Sequence, residues 1–291
     1  METKHERIKS QNLGILFVTG SAVAWSTTGL FTRVIALDSA SMLVWRGIFG
    51  AIGLLIVLAL IEGPKGFASF RRLGRAGWSY ALVSAIGMVC FITSLQHTSV
   101  AHVAIIYAVV PFLAASLSWV ILHEAPSRDA LIASAVALVG AAIMIGLGKD
   151  GGLFGDALAL GMTLAMAYMM VMARRHPGIP TLPAAALSAL LSAMVALPFA
   201  TAMTVTADQA VLLAAFGLVN SALGLGLFLM GSARIPPIQT ALIGALDAPL
   251  APLWVWLAFA EVPTGATLVG AAVILAAVVW HILRQDRLTI A

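Results

Sequence analysis

The chain has 291 residues, of which 61% are hydrophobic and only 10% charged. A soluble domain carries about a quarter charged residues, so a water-soluble fold of this length is excluded. The net charge of +4 does not indicate a nucleic-acid partner, because the basic residues are scattered over short segments. A single cysteine, Cys90, rules out an intrachain disulfide.

Met1 to Asn12 is polar and basic. The apolar run from Leu13 to Phe31 is too long for a signal core and has no small-residue cleavage site after it. It reads as a first membrane span, because a bilayer core needs about 20 apolar residues per helix. Ten segments qualify, near 13–33, 41–61, 77–96, 100–122, 129–147, 153–173, 183–203, 210–231, 238–260 and 265–283. Turn residues punctuate them, as in Glu62-Gly63-Pro64, Lys149-Asp150-Gly151-Gly152 and His176-Pro177-Gly178. The expected fold is an all-α integral membrane protein of ten transmembrane helices. No room remains for a soluble domain.

Lysine and arginine positions set the orientation. With the N-terminus in the cytoplasm, thirteen of the sixteen fall on the cytoplasmic side: Lys4, Arg7, Lys9, Lys65, Arg71, Arg72, Arg75, Arg128, Arg174, Arg175, Arg234, Arg284 and Arg287. Arg33 and Lys149 fall outside, and Arg46 lies within the second span. Both termini are expected in the cytoplasm, as tails 1–12 and 284–291.

His123-Glu124-Ala125-Pro126 has a counterpart in Ala260-Glu261-Val262-Pro263, 137 residues on. Trp119 and Trp256 each precede the glutamate by five residues. The same offset pairs Ala104 with Ala241, Ile106 with Ile243, Leu113 with Leu250 and Leu138 with Leu275. The unit holds five helices, an odd number, so the second copy enters the membrane from the opposite side. The expected organisation is two inverted five-helix repeats, 13–148 and 149–283. Inverted repeats are a device of transporters.

Several motifs then fall into a familiar order. Trp25-Ser26 ends span one, and Trp45-Arg46 lies in span two. Gln96-His97-Thr98-Ser99-Val100-Ala101 joins spans three and four, and Pro111 breaks span four. Glu124 and Glu261 each stand two residues before a proline. In these features the chain resembles the drug/metabolite transporter superfamily, specifically its ten-helix EamA-type branch. Asp247-Ala248-Pro249 stands where that pattern usually has Glu-Pro, a departure in both residue and spacing. The resemblance covers essentially the whole chain. It implies a secondary transporter of the bacterial inner membrane, similar to exporters of aromatic and other neutral amino acids.

Ionisable groups inside a bilayer are functional candidates by default. Asp247 is the one carboxylate near the middle of a span. It reads as a proton sensor, an anchor for a substrate amino group or a partner for a basic side chain. Alternatively, it is a hydrogen-bonded structural residue beside Pro249 and Pro252. Arg46 reads either as a side chain snorkelling to the interface or as a cation facing an outward cavity. Tyr107 and Pro111 share a helical face, with His102 close to it, which suggests a cavity wall. Asn220 and Gln239 either bind ligand or hydrogen-bond a neighbouring helix. Met162, Met166 and Met170, with Tyr168 and Met169 beside them, make either a flexible binding stripe or ordinary packing. Trp25 and Trp119 are candidate cavity aromatics.

The candidate cavity set is therefore Trp25, Arg46, His102, Tyr107, Pro111, Trp119, Met166, Tyr168, Asn220, Gln239 and Asp247. No metal-ligand spacing, phosphate loop or paired buried carboxylates occur in the sequence. The chain is thus expected to be no enzyme and to need no cofactor or metal. Its expected partners are a small-molecule substrate, in the first place amino acids, and the lipid bilayer. It is expected to act as a monomer. Alternative readings are a carrier of sugars, nucleotide-sugars or phosphate esters, a membrane enzyme, or a passive channel.

Overall fold

In a bilayer, backbone polar groups find partners only within the segment itself, so an apolar chain of this kind folds as helices. The computed structural model describes residues 4–98, 100–145, 152–260 and 262–290, and these are all-α, without a strand. The first half comprises α1 (Lys4–Ser26), α2 (Thr28–Val34), α3 (Ser39–Glu62), α4 (Gly74–His97), α5 (Val100–Tyr107), α6 (Val110–Leu122) and α7 (Arg128–Ile145). The second comprises α8 (Leu153–Arg175), α9 (Thr181–Ala196), α10 (Ala207–Gly217), α11 (Gly226–Ser232), α12 (Pro237–Gly244), α13 (Asp247–Phe259) and α14 (Gly265–Ile290). A π-helical stretch, Leu218–Leu225, joins α10 to α11.

Among the described residues, eight helical units are long and apolar enough to cross a membrane. The other two expected spans are also helices, Gly74–His97 and Arg128–Ile145, of 24 and 18 residues. Both expected tails are partly helical: α1 already starts at Lys4, and α14 runs to Ile290. The expected span 183–203 stops being α-helical at Ala196. The expected boundary at 148/149 and Glu261 lie outside the described residues.

Three expected spans are broken. The first breaks at Thr27, where Ser26, Thr27 and Thr28 each turn a hydroxyl onto the carbonyl three residues back. Such bonds compete with the helical ladder and bend it. The fourth breaks at 108–109 and the ninth at 245–246. Pro111 has no N–H for the Tyr107 carbonyl, and Pro249 none for Ala245.

These breaks keep a strict register. Helices α5, α6 and α7 begin at 100, 110 and 128, and α12, α13 and α14 begin 137 residues later at 237, 247 and 265. His123 and Ala260, also 137 apart, are the non-glycine residues with positive φ among those described, at 57° and 54°. Each ends a 13-residue helix with its N–H on a tryptophan carbonyl, of Trp119 and Trp256 respectively. Ser127 and Thr264 in turn cap the next helices, accepting from the N–H of Ala130 and Thr267.

Lipid chains are as apolar as leucine, so helices associate by close packing rather than by water exclusion. Small residues make that possible. A Cβ on Gly50 would overlap Ser221, and one on Gly140 would lie 2.9 Å from the Gly270 carbonyl oxygen. The large side chains Leu60, Val120 and Val211 turn outward. Beyond the spans, Asp38 caps α3 by accepting from the Ser41 N–H at 2.9 Å and hydroxyl, and from the Thr201 hydroxyl at 2.7 Å. Partial burial acts to raise the Asp38 carboxyl, but these hydrogen bonds outweigh it and bring it down to about 2.

Two outcomes follow for the protein in detergent. Gly50→Val should cost about 1–3 kcal/mol by overpacking, read as a lower melting temperature. Gly178→Ala, with nothing within 4 Å of its added carbon, should leave it unchanged. Asp38→Ala should cost about 1 kcal/mol at pH 7 by loss of the cap. Because the folded carboxyl titrates below its ordinary 3.8, that stabilisation is complete above about pH 4 and lost towards about pH 2. The gap between mutant and wild type should therefore close as the pH falls through that window.

Candidate functional site

The broken helices surround a cavity of about 630 Å³. Three walls are alanine-rich helical stripes: Ala104, Tyr107, Ala108 and Pro111; Ala137, Ala141 and Met144; and Ala248, Ala251, Pro252 and Val255. Trp25, Ser26, Thr28 and Gly29 at the first break form a fourth wall, and Val262 to Thr264 border the cavity at one end. Its lining is mostly apolar. The polar groups are the Asp247 carboxylate, the Tyr107 phenol and the hydroxyls of Ser26, Thr28, Thr264 and Thr267. Among the described lining residues there is no arginine or lysine.

Trp25, Tyr107, Pro111 and Asp247 of the sequence-derived set come together on this lining. Trp25 is held there by its Nε1, which donates to the Asn220 backbone oxygen at 3.0 Å, and by Phe228, whose ring centroid is 5.0 Å away. Asn220 lies behind the wall rather than in it. Its side chain donates to the Ala24 carbonyl and accepts from the Thr28 hydroxyl at 3.0 Å. It thus clasps the first break from the π-helical stretch, a distortion common at functional sites.

The remaining members lie elsewhere. Arg46 does not snorkel. Its guanidinium stands 5.4 Å over the Phe216 ring, with Nη2 3.8 Å from the Met88 sulfur. It lies outside the cavity lining. Trp119 is 64% exposed on the outer face of the bundle, because its position on α6 faces away from the α6 residues that line the cavity. Met166 packs against the cluster of Val110, Ala167, Met170 and Phe228. Tyr168 reaches back to the Ser79 hydroxyl at 3.2 Å. Met169 and Met170 are buried, so this part of the methionine stripe packs helix on helix. Gln239 is buried in α12, and the His102 side chain lies outside the described residues.

Sequence reasoning missed Trp254, whose indole N–H donates to the Ser26 hydroxyl at 2.7 Å. It also missed the alanine stripes. Their i, i+3, i+4, i+7 spacing was a readable signal, but alanine is too common in this chain for it to stand out.

Residues 12–146 match the EamA-like transporter family. A stretch of 135 residues is 30% identical to the uncharacterized transporter YwfM of Bacillus subtilis (strain 168). That stretch makes up 44% of this chain and 44% of the relative, so the match spans less than half of either protein. A protein of known crystal structure shares the fold over 96% of this chain and 99% of its own, with a TM-score of 0.82 at 18% identity. Multiple apolar helices, broken around a cavity, thus coincide with a match to the EamA-like transporter family over residues 12–146, and the chain is a multi-pass membrane protein whose first half is similar to that family.

Proposed function

We propose that this protein exports amino acids and related small metabolites across the inner membrane by alternating access. The observation that carries the reading is the position of the cavity between two helices broken at the same register, α5/α6 and α12/α13. The reading takes the ten spans as two inverted halves, 13–148 and 149–283, acting within one chain and without enzymatic chemistry. Both termini then lie in the cytoplasm, and the 262–264 end of the cavity faces outward.

The helix pairing supports this arrangement. Helix α3 packs on α9 and α7 on α14, which are counterpart spans; α4 on α8 is matched by α11 on α1. Exchanging the halves therefore maps the packing scheme onto itself.

Asp247 is the group that would hold a substrate amino group, and the small apolar walls would receive a neutral side chain. A lining without arginine or lysine among the described residues favours this class over phosphate esters and nucleotide-sugars, whose anionic groups need cations.

The test is flux of neutral amino acids in reconstituted vesicles. The wild type should transport at least one of them. Asp247→Asn should lower that flux by about tenfold or more with unchanged melting temperature and elution volume. Absence of flux for every amino acid tested would overturn the substrate class, and full flux through Asp247→Asn would remove Asp247 from the site.

A further inference from the structure

The connection between α3 and α4 is basic and held in shape. Gly63 and Gly74, with φ of 64° and 55°, turn the chain at its two ends. Between them, Pro64–Arg72 is a 3₁₀ helix. At three residues per turn, one row of it is buried: Gly66 lies against Leu58, and the Ser69 hydroxyl donates to the Gly66 carbonyl. Phe70 packs against the clusters of Leu54 and Leu73, which fixes the segment on the bundle. The opposite row, Lys65, Ala68 and Arg71, is exposed, and so are Arg72 and Arg75.

Lys65, Arg71, Arg72 and Arg75 have no carboxylate partner among the described residues. Glu62 is the one carboxylate between positions 60 and 78, and it pairs with none of them. Other arginines at span ends are occupied. Arg174 pairs with Glu124 at 3.5 Å, Arg284 pairs with Asp129 at 2.7 Å, and Arg234 stands 5.4 Å over the Phe17 ring. Arg75 also lies in the first turn of α4, where the helix dipole disfavours a cation and favours an anion. Four like charges in so short a stretch repel one another, and an anion placed among them relieves both penalties.

The surface next to these cations is apolar. Helix α3 ends in Leu60 and Ile61, which are 80% and 72% exposed. On α4, Arg75, Trp78, Leu82 and Ile86 follow at i, i+3, i+7 and i+11, which puts them on one helical face. The three apolar members are 55%, 55% and 50% exposed. The stripe therefore runs from free cations into the bilayer core, as a phospholipid runs from phosphate to acyl chain. We infer that an anionic phospholipid binds here, its phosphate among Arg71, Arg72 and Arg75 and an acyl chain along Trp78, Leu82 and Ile86. A soluble anion would leave the apolar stripe unused, and a zwitterionic lipid would bring its own cation to a site already rich in them. Among the described residues, α4 contributes nothing to the cavity lining. The lipid site is thus separate from the cavity and independent of which solute is carried.

The test is the melting temperature of the purified full chain in detergent, titrated with dioleoylphosphatidylglycerol or with dioleoylphosphatidylcholine, since a ligand of the folded state raises it in a saturable way. The anionic lipid should act at a concentration about tenfold or more below the zwitterionic one. Arg71→Gln with Arg75→Gln should raise the phosphatidylglycerol concentration required by about tenfold or more. Lys9→Gln with Arg128→Gln removes the same charge from exposed positions elsewhere and should behave as wild type. Trp78→Ala with Leu82→Ala should weaken phosphatidylglycerol several-fold, and glycerol 3-phosphate should not compete. Lys65→Gln with Arg72→Gln replaces the first pair should that pair fail to elute as a folded protein. An equal response to the two lipids would overturn the inference. So would an equal loss in both charge-matched pairs, which would make net charge the cause. Competition by glycerol 3-phosphate, with the Trp78→Ala and Leu82→Ala variant unaffected, would replace the lipid by a soluble anion and overturn it too.

Discussion

The structure depends on one constraint: a backbone carbonyl inside a bilayer must meet a donor, and proline removes donors. Pro111 and Pro249 each follow an interruption within an apolar span, and hydroxyl groups at 26–28 mark a break in the first span. Lipid cannot accommodate broken backbone, but protein or a water-lined space can. All three breaks border the same cavity. The cavity is thus where the chain is allowed to be irregular, and the irregularity brings Asp247 and Tyr107 to its lining.

Small residues let the rest of the bundle close around this centre. Glycine at 50, 140 and 270 brings helix backbones together, and alanine stripes keep the cavity walls smooth. Few directional bonds cross between helices there. The Trp254–Ser26 and Asn220–Thr28 bonds are exceptions, and both hold the first break. Other polar ties between helices, Ser79–Tyr168, Ser84–Ser188 and Arg284–Asp129, lie away from this break.

Much of the helical fold was legible in the sequence, because long apolar runs between turn residues report directly on which segments form membrane-spanning helices. Of the cavity, Trp25, Tyr107, Pro111 and Asp247 were legible, because proline and intramembrane carboxylates are rare enough to stand out. Trp119 was misleading, since a tryptophan one face away on the same helix has the same local sequence signal. Arg46 was also misread: its stacking over Phe216 depends on a helix some 170 positions away in the chain. Trp254 and the alanine walls went unread because only the tertiary structure distinguishes them from the many alanines and tryptophans around them.

The claim at the centre is that the cavity between the broken helices is where substrate binds. Alkylation of Ala251→Cys in a Cys90→Ser background tests it most directly, since position 251 lines the cavity away from the breaks. A transported amino acid is expected to slow that alkylation several-fold in a concentration-dependent way, and completed alkylation is expected to stop transport. An alkylation rate indifferent to saturating substrate, with transport intact after modification, would contradict it.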